Sequence, residues 1–107
     1  MTVKIMNFRN SSLSEPYDVR VDRASILGNP YALNRTCTRD ESCDQYHKYF
    51  HLNKRAMLAF AVELERLENI LREHGQIRLF CWCTPLRCHA ETIKQYLEEQ
   101  EDAEKYR

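Results

Sequence analysis

The chain has 107 residues, with 16 Lys/Arg against 16 Asp/Glu and 43% hydrophobic residues. That length gives one domain with a modest core, and the charge balance excludes the strongly basic signature of a general nucleic-acid binder. No apolar run approaches the ~20 residues needed to span a bilayer, which excludes a membrane-spanning helix.

In chain order, Val3–Phe8 predicts a first strand. Turn-forming residues follow at Asn10-Ser11-Ser12 and Ser14-Glu15-Pro16. Tyr17–Asp22 alternates apolar and polar side chains, the period of a half-buried strand. The two strands are either a hairpin or members of one sheet with another strand between them. Ser25–Tyr31 reads as a loop in which Gly28-Asn29-Pro30 favours a turn, and residues 32–38 are irregular. Asp40–His51 is helical in composition, and Thr38 with Glu41 makes a capping box. Lys54–His74 is the longest predicted helix. Its apolar face is Met57, Phe60, Leu64, Leu67 and Leu71, and Gly75 is its stop.

A strand follows from Gln76. Ile77, Leu79, Cys81 and Cys83 share one face, and Arg78, Phe80 and Trp82 the other. Both faces are mostly apolar, which suits a central strand covered on both sides. Pro85 ends it, having no N–H for a ladder. Ala90–Gln100 predicts the last helix, with Cys88 and His89 at its first turn and Ile93 and Leu97 on its apolar face. The acidic end, 98–107, is expected to fray. The expectation is a single α/β domain over 1–107, of order β-β-α-α-β-α. Its short sheet lies in two or three layers, with at least one parallel βαβ crossover. Ligands of such sheets bind beyond the C-terminal ends of the strands. If the second strand is parallel, the Arg23–Pro30 loop and the Cys83 loop meet at one crevice.

Three of the five cysteines and the only tryptophan lie within Leu79–Thr92. An odd cysteine count cannot form a complete intrachain disulfide set. Met1-Thr2-Val3-Lys4-Ile5 lacks the apolar segment of a signal peptide. The expectation is therefore reduced thiols in the cytoplasm, the host's cytoplasm if the gene is a phage's. Charge is spread unevenly, with nine Lys/Arg against six Asp/Glu in residues 1–55 and seven against ten in residues 56–107. The arginines of the first half suit phosphate or carboxylate contacts.

Three motifs stand out: Arg23 with Gly28-Asn29-Pro30-Tyr31; Arg39, Asp40, Cys43 and Tyr46; and Cys81-Trp82-Cys83 with Pro85, Cys88 and His89. In these the chain resembles domain-of-unknown-function family 4326, frequent in tailed phages and scattered in bacteria. The resemblance covers nearly the whole chain. It departs at Ala90, where the family has glycine before an acidic residue; Glu91 keeps the acid. The resemblance implies a compact α/β domain of phage or bacterial source. It carries no activity, so function rests on the site.

Several chemistries are open to that site. A crevice could take a small anionic ligand such as a nucleotide, held by Arg23, Asn29, Arg39 and helix-start groups at Cys88 and Thr92, with Trp82 available to stack on a base. If it catalyses, Cys83 is the nucleophile and His89 its base. Residues 81–87 also match the Cys-x5-Arg spacing of phosphate-wrapping loops, but without a glycine and with Pro85 removing a donor. In the alternative reading Cys81, Cys83, Cys88 and His89, with Cys43 as a fifth candidate, hold a structural zinc in a module that binds a host or phage protein. The Cys-x-Cys spacing and the adjacent Cys88-His89 are unusual for that. Under the ligand reading, His89→Ala leaves the fold intact; under the zinc reading it unfolds the domain. His47, His51 and His74 read as surface, and Tyr46 and Phe50 as core. Neither a membrane nor strong general nucleic-acid binding is expected.

Overall fold

The structure, a computed structural model, describes residues 1–105. Its elements are β1 (Thr2–Asn7), β2 (Asp18–Arg20), α1 (Arg39–Ala56), α2 (Leu58–His74), β3 (Gln76–Cys81) and α3 (Ala90–Lys105). This is the β-β-α-α-β-α order read from the sequence. The three strands form one parallel sheet, ordered β1-β3-β2. The first two strands are therefore not a hairpin; β3 lies between them. Ile5 pairs with Leu79 on one side of β3, and Val19 pairs with the same residue on the other.

One face of the sheet makes the core. Val3, Val19, Val21, Ile77, Leu79 and Cys81 are buried there. Onto them pack Tyr46 and Phe50 of α1, Phe60, Leu64, Leu67 and Leu71 of α2, and Ile93 and Leu97 of α3. All three helices thus cover the same face. Each fully buried aromatic or aliphatic side chain contributes roughly 1.5–3 kcal/mol to that packing.

The second face is covered too, as expected of a central strand, but by side chains and not by a helix. Phe80 is fully buried there, yet beneath other side chains. The Phe8 ring lies 5.3 Å from Phe80 and 5.1 Å from Trp82. The Arg78 guanidinium sits 5.7 Å from the Phe80 ring and 5.5 Å from Tyr17, and that of Arg20 lies 5.0 Å from Phe8. Arginine forks and aromatic planes stack well, so this layer shields the sheet without a helix. The fold is two-layered.

Helix ends follow local rules where the sequence carries a signal. Thr38 caps α1, its Oγ1 accepting from the Glu41 N–H at 3.2 Å. Gly75 ends α2 at φ 71°, a left-handed conformation that suits glycine. The α1/α2 break carries no glycine or proline and falls at Met57, later than the sequence suggests. Met57 turns extended at φ −117° and ψ 113°, its N–H still donating to Asn53 O at 3.0 Å. The acidic stretch expected to fray is helical as far as Lys105, supported by buried Leu97 and a Gln95–Glu99 contact of 3.1 Å. Residues 106–107 lie outside the described residues.

Asp18, in the first turn of β2, ties this second face together. It accepts from Arg78 Nε at 2.5 Å and Nη2 at 2.7 Å, and from the N–H groups of Ser14 and Glu15, both at 2.9 Å. Burial alone would raise its carboxyl pKa. The Arg78 fork and the two backbone donors outweigh that and lower it from 3.8 to about 2. A depressed carboxylate stabilises the fold fully above its unfolded value. That contribution is lost as pH falls from 3.8 through about 2. We expect Asp18→Asn to lower stability at neutral pH and to flatten the fall of urea midpoint across that window, as measured by denaturation at a series of pH values.

Candidate functional site

Because β2 and β3 run parallel, the chain leaves both at the same end of the sheet. The loop after β2, the start of α1 and the turn after β3 close there around a cavity of about 420 Å³. The first wall carries Asp22, Arg23, Asn29, Tyr31 and Leu33. The second carries Arg39, Ser42 and Cys43, and the third Trp82, Cys83, Arg87, Cys88 and His89.

The first wall is shaped by Gly28. A Cβ there would lie 2.4 Å from Asp22 O and 2.6 Å from Arg23 Cα, so only glycine lets the loop fold back onto the end of β2. Its φ is not positive; close approach, rather than turn geometry, is what requires the glycine. Beyond it a ring of hydrogen bonds pins the loop to α1. Asn29 Nδ2 donates to Ser42 Oγ at 2.9 Å, Ser42 Oγ donates to Tyr31 O at 2.6 Å, and Tyr31 N–H donates to Asn29 Oδ1 at 2.9 Å. The buried Tyr46 hydroxyl adds a bond to Leu27 O at 2.7 Å. Burial also raises its pKa well above the usual phenol value.

Asp22 anchors the aromatic part of the third wall. It accepts both nitrogens of the Arg20 fork at 2.8 and 2.7 Å, and the Trp82 indole N–H at 2.9 Å. The Arg20 bond is the chief reason its pKa lies below the usual carboxylate value. Trp82 is thereby fixed at the cavity edge while remaining half exposed. Strand pairing stops at Cys81, yet the alternation carries on: Trp82 meets Phe8, which also covers Phe80, Cys83 packs against the core with Leu79 and Cys81, and both reach the cavity.

His89 is buried, and its Nε2 lies 2.5 Å from Val21 O. A carbonyl can only accept, so Nε2 carries the proton and donates. Its ring meets the Tyr46 ring edge-on at 5.0 Å. Burial lowers the imidazole pKa, so the ring is neutral and Nδ1 holds a lone pair. Facing that lone pair at 3.5 Å is Cys88 Sγ, not Cys83. The base assigned to Cys83 from sequence is thus aimed at the neighbouring thiol.

The thiols divide in two groups. Cys88 and Cys43, both on the cavity, have pKa values above the ordinary thiol range. A hydrogen bond to Cys81 and burial raise the first, and burial the second. Cys81 lies below that range, because it accepts from the Cys88 thiol and from the N–H groups of Thr84 and Cys83. It belongs to the core, 1% exposed, and does not line the cavity. Cys81 is thus shielded in the core, and Cys88 and Cys43, also buried, lie along the cavity wall.

Of the sequence-predicted site residues, Arg23, Asn29, Arg39, Cys83, Cys88 and His89 come together around the cavity. Thr92 does not line it. The helix-start donors expected at Cys88 are also corrected: its N–H is bonded to Glu91 Oε2 at 2.7 Å. Among the described residues no three His, Cys, Asp or Glu side chains group as a metal ion requires, and His89 Nε2 is bonded to Val21 O. The sequence reading passed over Asp22 and Ser42. Asp22 resembled an ordinary strand-end acid, and only the pairing of its strand next to β3 brings Trp82 to it.

Arg87, Arg23 and Arg39 differ in what they hold. Arg87 donates to Asp40 Oδ1 at 3.0 Å and Asp44 Oδ1 at 2.7 Å, clamping the turn after β3 to α1. Arg23 bonds only a backbone carbonyl, Asn29 O at 3.2 Å, and Arg39 only Arg87 O at 3.3 Å. Neither has a carboxylate partner among the described residues.

Residues 6–99 match the profile of the family described as Domain of unknown function (DUF4326). The chain belongs to this family. No curated protein and no solved structure matches it. In this member of DUF4326, the three sequence motifs come from three segments and meet around one cavity. No helix among the described residues is long and apolar enough to cross a membrane.

Two outcomes follow from this geometry. Gly28→Ala forces backbone against backbone, and we expect a loss of roughly 3 kcal/mol in urea denaturation. His89→Ala strips the Val21 carbonyl of its donor and opens a void against Tyr46. We expect a loss of about 3 kcal/mol in urea denaturation. A lowered histidine pKa stabilises the fold fully above the unfolded value of 6.5 and loses that effect as pH falls below it. His51, also lowered by burial, acts in the same direction and remains in the variant. The pH profile of His89→Ala should therefore be shallower below 6.5, yet not flat.

Proposed function

We propose that this cavity binds a small anionic ligand, a nucleotide being the class it suits, and that the protein serves as a phage-type accessory protein through that binding. The observation that carries the reading is the pair of guanidiniums on the cavity, Arg23 and Arg39, that lack a carboxylate partner. A charged fork without a counter-charge favours phosphate or carboxylate, which it grips bidentately. The cavity volume lies in the range of small-molecule sites. Trp82 supplies an apolar wall beside the charge.

Binding is favoured over thiol chemistry. His89 has its N–H committed to Val21 O and its lone pair facing Cys88, whose thiol pKa lies above the ordinary value. The neutral ring shapes the cavity floor and accepts a proton only at a cost. A catalytic Cys83–His89 pair would require the ring to leave Val21.

The reading is tested by thermal denaturation with a panel of nucleotides and inorganic phosphate. A ligand at about 100 times its Kd stabilises by roughly 2.7 kcal/mol, which for a domain of this size shifts Tm by on the order of 10 °C. We expect Arg23→Gln and Arg39→Gln each to abolish most of the shift, while Arg35→Gln, exposed and off the cavity, retains it. A panel that moves Tm equally in all three variants would disprove the assignment.

A further inference from the structure

Resting on the anion-binding reading above, we propose that the ligand is a nucleoside 5′-monophosphate, bound without a divalent cation, with its phosphate between Arg23 and Arg39 and its base on Trp82. The first support is the pairing of charges around the cavity. Asp22 is paired with the Arg20 fork, and Arg87 is shared by the two carboxylates of Asp40 and Asp44. His89 donates its Nε2 proton to Val21 O, and burial disfavours a second proton on the ring. The guanidiniums that no carboxylate among the described residues pairs are those of Arg23 and Arg39. A phosphomonoester carries about −1.5 to −2 at neutral pH, which matches two guanidiniums. A triphosphate brings more charge and is ordinarily held with a magnesium ion on carboxylates. Among the described residues no acidic cluster is placed to hold one, and the Asp22 oxygens are already occupied by Arg20, Trp82 and the Ala24 N–H.

The second support is the state of Trp82. It is 50% exposed, an unusual condition for the only tryptophan of a small domain. Its ring is nonetheless immobilised, by the 2.9 Å bond to Asp22 at its edge and by Phe8 at 5.1 Å with the planes 35° apart. A rigid, exposed aromatic surface beside an anion site is a stacking platform, and every base has a π-face to offer it. Tyr31 and the exposed Leu33 add apolar surface elsewhere on the cavity lining. Phosphate and base are thus recognised by different residues, and their contributions separate by mutation.

The experiment is isothermal titration of the intact protein, at fixed ionic strength, with a nucleoside 5′-monophosphate, ribose 5-phosphate, the nucleoside, inorganic phosphate, the magnesium triphosphate and a 5′-phosphorylated dinucleotide. We expect the monophosphate to bind tightest and ribose 5-phosphate to bind at least tenfold more weakly. Trp82→Leu should bring the monophosphate to the ribose 5-phosphate level and leave ribose 5-phosphate unchanged; Trp82→Phe, which keeps a ring, should recover most of the loss. Arg39→Gln should weaken both ligands tenfold or more. Urea midpoints of each variant, measured alongside, show that the folded protein is being titrated. Equal binding of ribose 5-phosphate and the monophosphate overturns the nucleotide assignment while the anion site stands. Tighter binding of the magnesium triphosphate overturns the metal-free monophosphate. Tighter binding of the dinucleotide overturns the free mononucleotide in favour of a strand end. No binding of any phosphate overturns this inference and the anion reading together.

Discussion

Parallel pairing of β1 and β2 to the two edges of β3 is the constraint on which the rest depends. A parallel neighbour cannot be reached by a tight turn, so the chain must cross over before it pairs. From β2 to β3 it does so through α1 and α2, and both pack on the face that the odd-numbered strand residues make apolar. The same parallel sense releases β2 and β3 at one end of the sheet. The two loops with the most unusual composition are therefore neighbours, although some sixty residues separate Asp22 from Trp82.

The contacts that hold this end are mostly polar and mostly internal. Asn29, Ser42 and Tyr31 close a ring across the loop and α1, Arg87 spans to Asp40 and Asp44, and His89 ties the start of α3 to Val21. None of the buried side-chain polar atoms among the described residues lacks a partner. A site built this way is rigid before any ligand arrives, which lowers the ordering cost of binding. His89, which the sequence offered as a catalytic base, does this structural work. The guanidiniums of Arg23 and Arg39 are left as the open electrostatic feature.

Much of this was legible in the chain itself. The period of two in Tyr17–Asp22, the helical spacing from Phe60 to Leu71, the Thr38–Glu41 cap and the Gly75 stop act within a few residues, and each element stands where those signals place it. The α1/α2 break was not legible, because Met57 carries no breaker and bends for packing. Nor was the covering of Phe80, since an apolar residue reads alike beneath a helix and beneath an arginine–aromatic layer.

The sequence by itself determined which segments are strands and helices, that they belong to one α/β domain, and which loops hold the unusual residues, because these depend on local sterics and on the periodicity of apolar side chains. Tertiary structure decided the roles within the site. Whether an arginine is free or paired, which nitrogen of His89 bears its proton and which sulfur it faces depend on groups brought from distant segments. Arg87 and Arg39 are alike in chemistry and both line the cavity. Only the approach of Asp44 to one of them, and of no carboxylate to the other, separates a clamp from a binding charge.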